Sequence, residues 1–346
     1  MGNLIDVKDL YLRFTGDRTI HALNGISFKL EEGEILGLLG ESGSGKSVLL
    51  RTLMRLLPAR KTQITGSVAI AGSDILKMKK DELRKLRGGV VSMIFQEPGL
   101  AFDPVYTIGD QIAETVMHHQ GASKKDALAR ALEVLDIVRI PAAAQRLVAF
   151  PHELSGGMRQ RAMIAMALAC RPKILLADEP TTALDTTVQI QILLLLRELQ
   201  KDLGMSIILV THDTGVTAEI CDRVLVMYGG QIVESGGIDE IMTEPRHPYL
   251  AGLLGSSVKG ASYGDVLSTI PGAPPILDRP PAECSFMPRC AYAIPGCAMQ
   301  VPAKREVQTG HFVRCLHYEN TDRPQALQAL TKNTDGMPEA ARSGAR

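Results

Sequence analysis

The chain has 346 residues, with 38 basic and 38 acidic side chains, so its formal net charge is zero. Hydrophobic residues make up 45% and charged residues 22%, the balance of a soluble globular protein long enough for roughly two domains. Without an excess of cations, and with aromatics at 4% and no Trp, the composition argues against a nucleic-acid partner, leaving only a local basic patch open. No run of about 18 apolar residues occurs, and Met1-Gly-Asn-Leu-Ile-Asp6 has neither a basic n-region nor an apolar h-region. The expectation is a cytoplasmic chain unless a partner holds it at a membrane.

In chain order, Val7–Phe14 and Gly25–Leu30 alternate as half-exposed strands do, while Glu34–Leu39 is the apolar run of a strand buried on both faces. Glycine punctuation then leads into a helix over Lys46–Arg55. From about 98 to 171 the pattern is helical: Ser123 with Asp126 resembles a capping box, and Leu128, Ala131, Leu132 and Leu135 fall on one face. Buried-type strands are expected at Lys173–Asp178 and Ser206–Thr211 with a Leu-rich helix between them, a crossover unit of a parallel sheet. Arg223–Tyr228, Gly229-Gly230 and Gln231–Glu234 read as a hairpin. Ile270-Pro-Gly-Ala-Pro-Pro-Ile-Leu-Asp-Arg-Pro-Pro281 is a stiff linker, and the residues from Glu319 are polar and expected to be poorly ordered.

Gly40-Glu41-Ser42-Gly43-Ser44-Gly45-Lys46-Ser47 fits the phosphate-loop pattern, and its place between a buried strand and a helix supports that assignment. The glycines let backbone N–H groups face phosphate oxygens, Lys46 would reach the β- and γ-phosphates, and the Ser47 hydroxyl would ligate Mg²⁺. Asp178 and Glu179 close the second buried strand. Asp178 is placed to hold Mg²⁺ through water, and Glu179 to polarise the attacking water as a general base. Ser155-Gly156-Gly157, before a long helical stretch, is a second anion-binding helix start when taken by itself.

At that position Leu154-Ser-Gly-Gly-Met158 resembles the signature sequence of ATP-binding-cassette (ABC) ATPases, and the resemblance covers about residues 5–250. It implies an α/β fold, with a parallel-sheet core joined to an antiparallel β subdomain and a helical subdomain at about 98–171. Gln96 looks like the Q-loop glutamine that contacts Mg²⁺ and faces the transmembrane partner. Ala183-Leu-Asp185 looks like the D-loop, His212 like the switch histidine, and Phe14 like the aromatic that stacks on adenine, with Val48 completing the nucleotide-binding segment. Two such cassettes sandwich ATP head-to-tail, the phosphate loop of one facing the Ser155–Gly157 helix of the other.

Within this family, His247-Pro-Tyr249, Ile270–Pro275 and Cys284-Ser-Phe-Met-Pro-Arg-Cys290 resemble the C-terminal extension of oligopeptide and dipeptide importer ATPases. Gly99-Leu-Ala-Phe-Asp-Pro104 departs from the family's more polar run there. The expected organisation is an ATPase domain at 1–250, an extension at 251–318 and a tail at 319–346. Cys284, Cys290, Cys297 and Cys315 repeat as C-x5-C-x6-C-x17-C, too wide for a zinc ribbon, though zinc stays open as the alternative. The resemblance implies a [4Fe-4S] cluster on these four thiols. It further implies a second, non-identical cassette, two permease subunits, an extracytoplasmic binding protein, no nucleic acid, and residence at the cytoplasmic face of the bacterial inner membrane. The cargo class is peptide; nickel chelates, opines, glutathione and oligosaccharides are the alternatives, as is a soluble ABC ATPase outside transport. An iron–sulfur redox protein is opposed by the complete ATP site.

Overall fold

The computed structural model describes residues 2–182, 184–256 and 269–318; the proposed tail at 319–346 and Ala183 of the D-loop motif lie outside them. Strands β1 (Asn3–Phe14) and β2 (Ile20–Glu31) form a hairpin, followed by β3 (Ile35–Leu39) and helix α1 (Lys46–Leu53). Next come β4 (Thr62–Ile70), β5 (Ser73–Asp74), α2 (Lys80–Gly89) and β6 (Val91–Ile94). Five helices follow, α3 (Pro98–Ala101), α4 (Ile108–Gln120), α5 (Lys124–Ile137), α6 (Ala143–Arg146) and α7 (Gly156–Leu168). The chain then runs through β7 (Ile174–Asp178), α8 (Thr186–Leu203), β8 (Ser206–Thr211), α9 (Thr214–Ile220), β9 (Arg223–Tyr228), β10 (Gln231–Gly237), α10 (Ile238–Thr243) and α11 (Pro248–Gly255). A last hairpin is β11 (Arg305–Gln308) with β12 (His311–Val313).

Two sheets result. β2-β1-β4-β5 is antiparallel, and the larger sheet has the order β11-β12-β10-β9-β3-β8-β7-β6. Its centre is parallel, β3 pairing with β8 and β9, and β7 with β8 and β6. Every residue of β3, β7 and β8 is buried, as continuous apolar runs covered on both faces require. One core packs the helical segment and α8 against this sheet; a second fills the space between the antiparallel sheet, α1 and the opposite side of β3 and β8. The Ser123 hydroxyl accepts from the Asp126 N–H and donates to its carboxylate at 2.7 Å, capping α5.

The segment after α11 joins the core sheet, because β12 pairs antiparallel with β10 through Glu234–Val313 and Ser235–Phe312. Phe286 completes an aromatic cluster with Tyr228, Tyr249 and His247, at ring separations of 5.1, 5.4 and 5.7 Å. Glu234 and His311 are both fully buried and meet at 2.7 Å, and Glu234 also accepts the N–H groups of Arg246 and His247.

Candidate functional site

The loop between β3 and α1 is shaped by glycines that no other residue could replace cheaply. Gly45 has φ +103°, and a Cβ there would lie 2.8 Å from the Ala22 carbonyl; a Cβ on Gly40 would meet the Met227 carbonyl at 2.4 Å. The loop folds over the Lys46 ammonium, which donates to the carbonyls of Gly40 at 2.6 Å and Glu41 at 2.9 Å. Burial lowers the Lys46 pKa, and the nearby carboxylates of Glu179, Asp178 and Glu41 work against that shift. A desolvated cation held by neutral carbonyls is a site that favours an anion. Ser44 Oγ is buried beside it without a hydrogen-bond partner.

The carboxylates arrive from the end of β7. Asp178 accepts a hydrogen bond from the Ser47 hydroxyl at 2.8 Å; burial raises its pKa, opposed by that bond and by Arg51 and Lys46. Glu179 adopts φ +46°, a strained conformation for a side-chain-bearing residue, and its N–H donates to Val210 O of β8. Its carboxylate accepts from Gln96 Nε2 at 2.9 Å and Thr182 Oγ1 at 3.0 Å, with His212 Nδ1 at 3.8 Å. Thr182 was not singled out in the sequence, since a Thr beside an acidic turn carries no distinguishing pattern.

Of these groups, Lys46, Ser47, Gln96 and Glu179 line a cavity of about 410 Å³, together with Phe14, Ser42, Gly43, Gly45 and Val48. Gln96 also lines a neighbouring groove of about 620 Å³, with Arg51, Phe95, Glu97, Met163 and Met166. His212 faces a smaller cavity with Glu179, Thr182 and Gln189. Glu41 turns away from the nucleotide-sized cavity to pair with Arg289. Ser155 caps α7 by accepting from Met158 N at 3.3 Å, and Asp185 caps α8 by accepting from Val188 N at 3.0 Å. Ser155, Gly156 and Gly157 line none of these three cavities.

The expected iron–sulfur cluster is not supported. Among the described residues, no group of three or more His, Cys, Asp or Glu side chains is arranged to hold a metal ion, and the zinc alternative meets the same finding. Cys284, Cys290, Cys297 and Cys315 do line one cavity, but its volume is about 10 Å³, about the room for one water. Burial raises the pKa of Cys284 and Cys290 and pushes that of Cys315 up to about 12, which favours neutral thiols over ligating thiolates. What ties this region down is polar contact that the spacing of cysteines does not reveal. Arg289, with its side chain 6% exposed, donates to both Glu41 oxygens at 2.7 and 3.0 Å and to Pro271 O at 2.7 Å.

The ABC transporter family profile matches residues 23–182, and that of the oligopeptide/dipeptide transporter C-terminal region matches residues 233–297. The oligopeptide transport ATP-binding protein OppD of Escherichia coli is 47% identical over 314 residues, covering 90% of this chain and 93% of the relative. Its namesake in Bacillus subtilis is 45% identical over 333 residues, 94% of this chain and 93% of the relative. A dimeric post-hydrolysis structure of the ATP-binding cassette MJ0796 with ADP and phosphate is similar at TM-score 0.60 and 30% identity, over 68% of this chain and 98% of that one. With relatives at least 45% identical over nine-tenths of its length, this chain belongs to the ABC transporter ATPases, in the oligopeptide/dipeptide transporter branch.

Proposed function

We propose that this chain is the ATP-hydrolysing subunit that powers import of peptides through a membrane permease. The observation that carries the proposal is that one cavity is lined by the desolvated Lys46 ammonium, by Ser47, whose hydroxyl donates to Asp178 behind it, and by the Gln96–Glu179 pair. The donor set fits a magnesium-bound polyphosphate: backbone amides and an ammonium for the phosphates, a hydroxyl and a buried carboxylate for the ion. Ser47 and Asp178, with Gln96, would hold Mg²⁺, which supplies charge neutralisation at the β- and γ-phosphates.

Glu179 accepts the proton of a water as that water's oxygen bonds to the γ-phosphorus and the bond to the ADP oxygen breaks. Two neutral donors, Gln96 and Thr182, keep it aimed. His212, at 3.8 Å from Glu179, is near enough to orient the γ-phosphate end. Phe14 lies where it would contact the base. Ser155–Gly157 do not line the cavity that Lys46 and Glu179 line; a facing cassette would supply them to complete each site, and we assign a non-identical cassette to that position. Gln96 borders both the nucleotide cavity and the 620 Å³ groove, so nucleotide state would be felt where the permease docks.

Among the described residues, no helix is long and apolar enough to cross a membrane; residence at the cytoplasmic face of the inner membrane would come through two permease subunits, with an external binding protein delivering cargo. Residues 1–250 would form the ATPase unit and 251–318 the extension. Reconstitution with a partner cassette, permease and binding protein tests the proposal. ATP-dependent uptake of labelled oligopeptide, abolished by Lys46→Ala, is the expected result; an assembled, ATP-hydrolysing complex that moves no peptide would reject the cargo assignment.

A further inference from the structure

One wall of the nucleotide-sized cavity comes from neither the phosphate loop nor the β7 carboxylates. Pro275, Ile276 and Leu277, from the proline-rich segment of the extension, line it together with Phe14 and Lys46. Phe14 and Ile20 are cross-strand partners in β1 and β2, and the next residue, His21, donates its N–H to Leu277 O at 2.8 Å. The extension therefore borders the part of the cavity where Phe14 and Ile20 stand.

Ile276 is 81% exposed. A lone exposed Ile means little, but here the backbone that presents it is fixed on both sides. Downstream is the Leu277–His21 bond; upstream, Arg289 takes the carbonyls of Pro271 at 2.7 Å and Gly272 at 3.2 Å. Pro274 and Pro275 restrict the backbone between these anchors. No charged side chain occurs in residues 270–277, so this wall offers nothing to phosphate. Its apolar surface, beside Phe14 and Ile20, suits a flat heterocycle.

We propose that the C-terminal extension forms the base-side wall of the nucleotide site, with Ile276 packing on the purine of ATP. The inference rests on the ATP-site assignment above. The same extension also reaches the phosphate loop, through Arg289 on Glu41 at 2.7 Å. Both ends of the nucleotide are then bordered by a segment that lies outside the phosphate-loop and β7 motifs.

The chain contains no Trp, so Ile276→Trp installs a single reporter at the proposed contact. Its emission should be quenched by ATP at the concentrations that calorimetry shows to saturate the site, and left unchanged by tripolyphosphate, which lacks a base. In parallel, Ile276→Ala should weaken ATP binding about five- to tenfold, the worth of a partly buried aliphatic side chain, without altering affinity for tripolyphosphate. Unquenched emission under saturating ATP, or an unchanged ATP affinity in the Ala variant, overturns the inference while leaving the ATP site intact. If the unaltered chain binds neither ATP nor tripolyphosphate, the ATP-site assignment fails and this inference falls with it.

Discussion

Replacing Arg289 with Met removes the clamp between the extension and the phosphate loop while keeping an unbranched stem of similar bulk. The guanidinium makes two charge-assisted bonds to Glu41 and a short bond to Pro271 O. Bonds to charged groups are worth about 1.5–3 kcal/mol each, and a neutral one about 1 kcal/mol. The Glu41 side chain is 27% exposed, so water can restore part of its solvation and the low end applies to the pair. With the Pro271 bond added, the expected loss is about 4 kcal/mol, within the range for breaking a buried ion pair. Urea unfolding of the full chain reads this directly, with Lys77→Met as the control. Lys77 is 85% exposed and pairs with Asp74 at 3.2 Å on the surface, so its removal should change stability by no more than about 0.5 kcal/mol. A second reading is ATP affinity, which should fall because Glu41 belongs to the loop. An Arg289→Met loss no larger than the Lys77→Met loss would refute the clamp.

Lys46→Ala should weaken ATP binding about 10- to 100-fold by calorimetry, since a charge-assisted contact to phosphate is lost, and Asp178→Asn should raise the Mg²⁺ concentration needed for half-maximal hydrolysis. Gly45→Ala, at φ +103° with the Ala22 carbonyl 2.8 Å from the added carbon, should cost roughly 1–3 kcal/mol in thermal unfolding and abolish ATP binding; a variant that binds ATP normally would deny the loop its required shape. His247 is fully buried, its Nδ1 accepts from the Tyr249 N–H, and burial lowers its pKa to about 3. The unfolded chain therefore binds a proton below about pH 6.5 that the native chain refuses, and stability drops by up to about 1.4 kcal/mol per pH unit as pH falls from there toward 3. His247→Asn keeps an acceptor for the Tyr249 N–H without that proton, so its unfolding midpoint should depend less on pH than the parent's.

The parts of the fold that the sequence announced are those with undivided apolar runs or unusual glycines. β3, β7 and β8 are buried along their whole length, and Ser206–Thr211 and Arg223–Tyr228 begin and end as read. β4 escaped notice because Thr62-Gln-Ile-Thr-Gly-Ser is polar and largely exposed, its place set by pairing with β1. β6 and β12, of four and three residues, are too short to show a period, and β12 exists through its bonds to β10. At the candidate site, glycine and acidic patterns marked Gly40–Ser47, Asp178 and Glu179, because the proposed phosphate chemistry would constrain residue type at fixed spacing. Thr182, Ile276 and Arg289 belong to no spacing rule; they reach the site through the tertiary fold. The cysteines mislead in the opposite direction, since four thiols close in sequence suggest a metal whereas the cavity they share has room for about one water and burial raises the pKa of Cys284, Cys290 and Cys315.

The central claim is that Glu179 takes the proton of the attacking water while Lys46 and the loop only bind. Glu179→Gln tests it in the reconstituted complex, because the amide can keep the Thr182 hydroxyl as a partner yet cannot accept the proton. The account predicts unchanged ATP affinity by calorimetry with hydrolysis reduced about 10²- to 10⁴-fold, the usual cost of losing a general base; turnover near that of the parent complex would contradict it.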